Sequence, residues 1–214
     1  MTTSWCRHEG DAVLLVEGQN DCHVILALCA KFNVPQTFGI YECGSDDQAI
    51  RRMNALISQP NPPRVVGLVI DADKPDLSGR WAIIRGKLAH YAYDFPDSPT
   101  PDGTILDSAN EETRVGFWLM PNNQDSGMLE DFCSEMISKS SVITVRECIE
   151  LAKQKGCATF KEVHYSKAIV HTFLALQDEP GRPLGQAITA HTLQSHTATA
   201  QRFVNWLYRL FGMS

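Results

Sequence analysis

Acidic residues follow two strongly apolar segments of the chain. Glu17 comes directly after AVLLV (12–16), and Asp71 and Asp73 come directly after VVGLVI (65–70). Such apolar runs are typical of strands buried on both faces of a parallel sheet. Because the carboxyl ends of parallel strands form one edge where ligands bind, we expect these carboxylates to lie close together. Crowded carboxylates repel unless a cation lies among them, and Mg²⁺ prefers such oxygen ligands. The pattern therefore predicts a magnesium site.

Alternative interpretations of these acidic residues must be weighed against a metal site. A single carboxylate after a strand often only caps the next helix, and for Glu17 alone that is the more common role. The pair Asp71 and Asp73 is more specific, since side chains two apart on an extended chain point to the same side. Haloacid-dehalogenase phosphatases and metal-dependent glycosyltransferases share this feature. Such a phosphatase would have its paired aspartates near the N-terminus and a Thr or Val two residues after the second, whereas Lys74 and Pro75 follow here.

The remaining pattern places these residues in an alternation of strands and helices. A weaker strand is predicted at 37–43, and another apolar strand (VGFWLM) at 115–120. Helices are predicted to begin near Asn20 or Asp21, near Ser45, near Gly79 and after Gly127. This alternation predicts an α/β, Rossmann-like parallel sheet flanked by helices.

The second part of the chain shows only helical patterns. Helices are predicted through residue 155, over 160–177, and at the end of the chain, where Phe203, Trp206 and Leu210 share one face. We therefore divide the chain into an α/β core over 1–140 and a helical extension over 141–214 that packs on the core. A Pro-, Asp- and Gly-rich stretch, 91–112, is predicted to be an insertion or long loop, with a hairpin around Asp102 and Gly103.

Two short motifs resemble those of the Toprim domain. They are Val16-Glu17-Gly18 followed by Asp21, and Val69-Ile70-Asp71-Ala72-Asp73, and they occur in the Toprim order and at about the Toprim spacing. That domain is shared by topoisomerases, bacterial primases, small ribosomal-RNA maturases and nucleases of the overcoming-lysogenization-defect family. The resemblance implies a Toprim-like core over the first part of the chain.

Two longer stretches resemble a narrower group within this superfamily. VGFWLMPNNQDSGMLEDF (115–132) and SKAIVHTFLALQDEPGRPLGQAI, which contains Lys167, are similar to small, stand-alone, uncharacterised bacterial Toprim-like proteins related to overcoming-lysogenization-defect nucleases. This likeness covers nearly the whole chain, and the loop at 91–112 is its least secure part.

The resemblance assigns roles to individual residues. It implies that Glu17 is a general acid or base, or a metal ligand, and that Asp71 and Asp73 hold Mg²⁺, for which Mn²⁺ can substitute. Further carboxylates would complete a second metal position, and a downstream lysine would assist catalysis, as in the nuclease branch. The candidates for these last roles are Asp21 and Glu130, with Asp131 in reserve, and Lys167.

The function implied is magnesium-dependent phosphoryl transfer, with cleavage or nicking of nucleic acid phosphodiesters in DNA or RNA. No strand-passage domain, primase zinc-binding region or Gly-x-x-x-x-Gly-Lys-Ser/Thr motif is found in the sequence, so we expect any ATPase function to come from a separate partner protein. The alternative is a Toprim-like binding or regulatory module that is non-catalytic or depends on a partner. A third alternative is a phosphatase or nucleotidyl enzyme acting on small substrates.

Composition limits the environment and partners of the protein. The formal net charge of −6 means that a nucleic acid must be bound by a metal ion or by a few local cations. The 7 cysteines are odd in number and include no Cys-x-x-Cys pair, which predicts buried thiols and no disulfide framework. No secretory signal or membrane-spanning segment is found, so we expect a soluble, cytoplasmic protein. The last helix is expected to dock on the core, with a homodimer seam as the alternative.

Overall fold

A computed structural model describes residues 6–8, 10–107 and 112–213. Its five-stranded sheet has the order β2-β1-β3-β5-β4. All neighbouring pairs are parallel except β4 with β5, which is antiparallel. The strands are β1 (Ala12–Val16), β2 (Gly39–Glu42), β3 (Val65–Asp71), β4 (Thr104–Leu106) and β5 (Arg114–Met120). The predicted α/β, Rossmann-like class is therefore confirmed.

Helices alternate with the first strands and then follow the sheet. They are α1 (Gln19–Lys31), α2 (Asp46–Ile57), α3 (Leu77–Leu88), α4 (Leu129–Ser134), α5 (Lys139–Gln154), α6 (Tyr165–Ala175), α7 (Leu184–Thr189) and α8 (Ala198–Phe211), with a 3₁₀ turn at Glu162–His164. The predicted helix over 160–177 is thus shorter, and α7 was not predicted as a separate helix. Among the described residues, no helix is long and apolar enough to cross a membrane.

The sheet is buried on both faces, which explains why its central strands are continuously apolar. One hydrophobic cluster joins one face of the sheet to α2 and α3. A larger cluster joins the other face to α1, α4 and the helices of the C-terminal part. The helical part after residue 140 therefore shares a core with the α/β part.

Short polar residues at helix starts explain several boundaries. The side chains of Ser45, Asp76, Ser138 and Thr197 each accept a hydrogen bond from a backbone N–H in the first turn of the following helix. The start of α1 differs from the prediction, because Gly18 is the N-cap and Asp21 is the third helical residue. The Asp21 carboxylate reaches back to the Gly18 N–H at 3.1 Å, as in a capping box.

The predicted hairpin around Asp102 and Gly103 is wrong in position. Those residues form a tight turn in which the Gly103 N–H donates to the Thr100 carbonyl, and the chain then enters β4. The hairpin is instead the antiparallel pair β4–β5, whose connection includes residues 108–111, which lie outside the described residues. An Asp-Gly pair often forms the turn that connects two strands of a hairpin. Here it forms a turn that precedes β4.

The prediction of no disulfide is also wrong. Cys6 and Cys22 form a disulfide, although their separation of 16 residues matches no simple motif. The bond ties α1 to an N-terminal segment that lies along the edge of β2. There Arg7 pairs with Tyr41 as an antiparallel bridge, and the His8 N–H donates to the Ile40 carbonyl. This long-range pairing of the segment with the sheet brings the two sulfur atoms together. The cysteines at 29, 133, 148 and 157 are free thiols, and the Cys43 thiol donates to the Tyr41 carbonyl.

Two facing glycines let α8 approach the sheet closely. Gly67 of β3 and Gly116 of β5 are register partners on neighbouring strands. A Cβ atom on Gly116 would lie 2.6 Å from the Leu210 side chain, and one on Gly67 would lie 2.9 Å from it. Leu210 is fully buried, so it has no room to move away. The missing side chains therefore form a notch that Leu210 fills.

We expect Gly116→Ala to lower the free energy of unfolding by about 1–3 kcal/mol, because the added methyl group overpacks this notch. Leu210→Ala alone should cost about 2–5 kcal/mol through the cavity it leaves. The double variant should cost less than the sum of both, since each change relieves the other. Urea denaturation measures all three.

The control is Gly86→Ala in α3, where an added Cβ meets no atom within 4 Å. It should be neutral or stabilising by up to about 1 kcal/mol, since alanine favours a helix over glycine. Additive costs for Gly116→Ala and Leu210→Ala would show that the two residues do not share this space.

Candidate functional site

The carboxyl edge of the sheet joins Glu17 to Asp71. Val16 and Val69 are register partners in β1 and β3, so the two strands end side by side. The Asp71 backbone N–H donates to Glu17 Oε1 at 2.7 Å. The Asp71 carboxylate in turn accepts a hydrogen bond at its Oδ1 from the Leu129 N–H, 2.9 Å away at the start of α4. The acidic residues Glu17 and Asp71 thus link the ends of β1 and β3 to the start of α4.

Two further carboxylates from the predicted set are buried beside this pair. Asp21 in α1 and Glu130 in α4 are 8% and 5% exposed, which is rare for acidic residues without a strong partner. Their charges repel, as the effect of Glu130 on the pKa of Asp21 shows. Lys167 in α6 lies with its Nζ 3.6 Å from Glu130 Oε1, and its charge favours the ionised form of Asp21. The structure therefore places Lys167 at the rim of the acidic group.

Burial and mutual repulsion make the carboxyl groups of Glu17, Asp21 and Asp71 hard to ionise. Burial is the largest cause in each case, and it raises the pKa of Glu17 to about 7, that of Asp21 to about 6 and that of Asp71 to about 9. The charges of Glu17 and Asp21 further raise the pKa of Asp71. Backbone N–H groups oppose these shifts without cancelling them. We call Glu17, Asp21, Asp71 and Glu130 the acidic cluster.

Asp73 belongs to the margin of the acidic cluster. It lies beyond the last residue of β3, and its Oδ2 is 3.6 Å from the Nζ of Lys74. Its charge still raises the pKa of Asp71, although less than burial, Glu17 and Asp21 do. Asp73 is therefore close enough to contribute to the electrostatic field at Asp71, and both residues are partly buried.

Asp131, the reserve candidate, has a different role in this structure. Its Oδ2 accepts a hydrogen bond from the Met128 N–H at 2.8 Å, and its Oδ1 accepts one from the Ser166 hydroxyl. These contacts form the capping box of α4 and join α4 to α6. Because both carboxylate oxygens have partners in the fold, Asp131 serves as a helix cap here, beside Glu130, which points toward the acidic cluster.

Sequence reasoning missed a buried cation next to the acidic cluster. Arg80 of α3 is 6% exposed and forms an ion pair with Asp46 at the start of α2. Its charge lowers the pKa of Glu17, whereas that of Asp46 raises it. A lone arginine in a weakly amphipathic helix gave no signal, since only the packing of α2 against α3 brings it to the edge of the sheet.

The donors present fit a magnesium ion chemically. Hard carboxylate oxygens reach this edge from three separate segments of the chain, and burial, the largest cause, raises the pKa of Glu17, Asp21 and Asp71. Within the described ranges, no three acidic, histidine or cysteine side chains are already arranged as a ligand set. Backbone N–H groups hold one oxygen each of Glu17, Asp21 and Asp71, so small side-chain rotations would be required to coordinate an ion.

Fold and site together define an α/β protein with a buried acidic cluster at the carboxyl edge of its sheet. The chain belongs to the family described as protein of unknown function (DUF3226), whose model matches residues 11–212. No curated protein and no solved structure matches the chain. The match spans the sheet, the acidic cluster and the C-terminal helices of the described part of the chain.

The raised pKa values predict that the metal-free protein loses stability as the pH rises. A carboxyl group with a raised folded-state pKa holds its proton more tightly in the folded protein. Its contribution to folding stability is therefore complete below its unfolded pKa of about 4. That contribution is lost as the pH rises through about 6, 7 and 9, the values for Asp21, Glu17 and Asp71. In EDTA, circular dichroism should show a melting temperature several degrees lower at about pH 9 than at about pH 5.5.

Added Mg²⁺ or Mn²⁺ should restore this stability mainly at the higher pH, because the ion binds the ionised cluster. Asp71→Asn removes the most strongly shifted carboxyl group and should flatten the pH dependence. A melting temperature in EDTA that rises with pH over this range, or an equal effect of the ion at both pH values, would contradict the assignment.

Asp131 and Glu130 should behave oppositely although they are neighbours in the chain. Asp131→Ala removes a helix cap and should lower the free energy of unfolding by about 1–2 kcal/mol, with the Mn²⁺ affinity changed less than about twofold. Glu130→Gln should weaken Mn²⁺ binding about tenfold, because it removes a buried charge from the acidic cluster. Chemical denaturation and calorimetric titration with Mn²⁺ separate the two effects. The reverse pattern would exchange their roles.

Proposed function

We propose that this protein is a magnesium-dependent phosphoryl-transfer enzyme of the Toprim type that cleaves or nicks phosphodiester bonds in nucleic acid. The observation that carries the proposal is the grouping of the acidic cluster at the carboxyl edge of the sheet, where Asp21 and Glu130 are buried and the partly buried Asp71 donates its N–H directly to Glu17. Buried carboxylates of like charge destabilise a fold unless they serve a ligand, and a divalent ion is the ligand that suits their oxygens. The two Toprim-like motifs support the same assignment.

Each residue of the site then has a chemical task. Bound Mg²⁺ neutralises the charge of a phosphodiester and favours ionisation of an attacking water. Asp71 and Asp73 hold the ion, and Asp21 and Glu130 are the candidates for a second position. Glu17, whose pKa is raised to about 7, exchanges a proton with the reacting oxygen near neutral pH. Lys167 offers positive charge to the phosphate at the outer side of Glu130.

The assignment also implies a setting for the protein. We propose that DNA or RNA is the substrate, that Mn²⁺ can replace Mg²⁺, and that the protein works in the cytoplasm. An ATPase partner would supply the energy-dependent step, as the resemblance to overcoming-lysogenization-defect nucleases suggests. A homodimer remains an alternative for its assembly.

One observation favours a second candidate, a partner-dependent binding module. The chain has a net charge of −6, whereas an independent nuclease gains affinity from a broadly cationic surface. In this alternative the acidic cluster binds the ion, and a partner supplies the cations that hold nucleic acid. Metal binding without cleavage would distinguish the module from the enzyme.

The test is incubation with supercoiled plasmid, single-stranded DNA and RNA in Mg²⁺ or Mn²⁺. We expect cleavage that EDTA abolishes and that Glu17→Gln and Asp71→Asn each reduce by about 10²-fold or more, as for the loss of an acid–base group or a metal ligand. Gel electrophoresis gives the rates, and thermal melting verifies that the variants fold.

Asp47→Asn is the matched control, because it removes one negative charge from an exposed residue of α2 that pairs with Arg51. It should leave the cleavage rate within about twofold, since exposed ion pairs have small effects. Metal binding by a protein that cleaves none of the three substrates would favour the module. Failure to bind either ion would contradict both candidates.

A further inference from the structure

A cavity of about 500 Å³ opens beside the acidic cluster, at the carboxyl ends of β1 and β2. It shares the turn after β1 with the cluster, because Gly18 lines the cavity and Glu17 precedes it in the chain. The turn after β2 is fixed to the same place by a hydrogen bond from the Gly44 N–H to the Glu17 carbonyl at 2.7 Å. A molecule in the cavity would therefore lie directly next to a reaction at Glu17.

The lining of this cavity is locally basic in an acidic protein. Among the described residues, the lining includes Arg7 and Arg52 against a single carboxylate, Glu42. Arg7 comes from the N-terminal segment, and its Nε lies 3.3 Å from Glu42 Oε1. Two guanidinium groups with one carboxylate leave a net positive charge, so the cavity attracts an anion where the chain as a whole repels one.

The arginines are held in position before any ligand arrives. The guanidinium of Arg52 lies 3.7 Å from the centroid of the Tyr41 ring, a cation–π contact. Arg7 is held by Glu42 and by the bridge of its backbone to Tyr41. Amide side chains of Gln19 and Gln48 add neutral donors at the same cavity. Planar guanidinium groups match the geometry of phosphate oxygens.

We infer that this cavity binds the phosphate of a nucleotide next to the one that is cleaved, so that Arg7 and Arg52 anchor a nucleic acid strand across the carboxyl edge of the sheet. The inference rests on the proposed function, because that function identifies the bound strand as nucleic acid. The cavity would supply the positive charge that the acidic cluster lacks. A strand must be held by neighbouring phosphates while the metal site acts on the phosphate that is cleaved.

The inference is tested with a fluorescein-labelled single-stranded oligonucleotide, as DNA and as RNA, in Mg²⁺. All proteins carry Asp71→Asn, which slows cleavage of the probe by about 10²-fold or more. Fluorescence anisotropy gives Kd at several salt concentrations for this background and for versions that add Arg52→Gln or Arg7→Gln. Competition by adenosine monophosphate shows whether the cavity prefers a strand or a free nucleotide, since both offer the same phosphate chemistry.

Arg51→Gln is the matched control, because Arg51 neighbours Arg52 in α2, carries the same charge and pairs with Asp47 outside the cavity lining. We expect a Kd about tenfold higher for Arg52→Gln or Arg7→Gln and a salt dependence reduced by about one phosphate contact. Arg51→Gln should change the Kd less than about twofold. Thermal melting verifies that all variants fold, and the largely exposed Arg7 provides a variant with little effect on the fold.

A Kd ratio above about threefold between either cavity variant and Arg51→Gln supports the inference, and a smaller ratio for both overturns it. The outcome is separate from the proposed function. If the wild-type protein cleaves and Arg52→Gln leaves KM unchanged, phosphate binding in the cavity is refuted and the enzyme assignment stands. Binding that depends on Arg52 without any cleavage would leave the cavity and overturn the enzyme assignment.

Discussion

Repulsion among buried carboxylates is the constraint that organises this molecule. Glu17, Asp21 and Asp71 come from two strand ends and the first turn of a helix, and backbone N–H groups hold all three in place. A fold gains nothing by collecting such groups in a region sheltered from water, since each would be more stable ionised at the surface. The sheet, the short turns and α4 together keep them there. The arrangement of carboxylates is suited to a positively charged ligand.

The same edge shows a division of charge that the net value of −6 conceals. The acidic cluster lies beside β3, whereas Arg7 and Arg52 lie beyond β1 and β2. The buried Arg80 forms an ion pair with the partly exposed Asp46, and both charges act on Glu17. A polyanionic strand would be met at one end by side-chain cations and at the other by a metal ion, so a broadly basic surface is unnecessary.

Apolar runs made the sheet predictable. AVLLV and VVGLVI are typical of strands buried on both faces, and parallel neighbours that end on the same side bring Glu17 and Asp71 together. The features that were not predicted depend on contacts between distant segments. Cys6 meets Cys22 only because the N-terminal segment pairs with β2, and Arg80 reaches the site only through helix packing. Glu130 and Asp131 are adjacent acidic residues, so the sequence does not distinguish their roles. In the structure Glu130 belongs to the acidic cluster, whereas Asp131 caps α4.

The notch of Gly67 and Gly116 has a consequence for the order of folding during synthesis. β3, the strand that ends at Asp71, is covered on this face by Leu210 of α8, which is made long after the strand itself. While the chain is still emerging from the ribosome, this face of the sheet is exposed apolar surface, and such surface invites association with other nascent chains or with chaperones. Docking of α8 therefore removes from water the part of this apolar face that Leu210 covers.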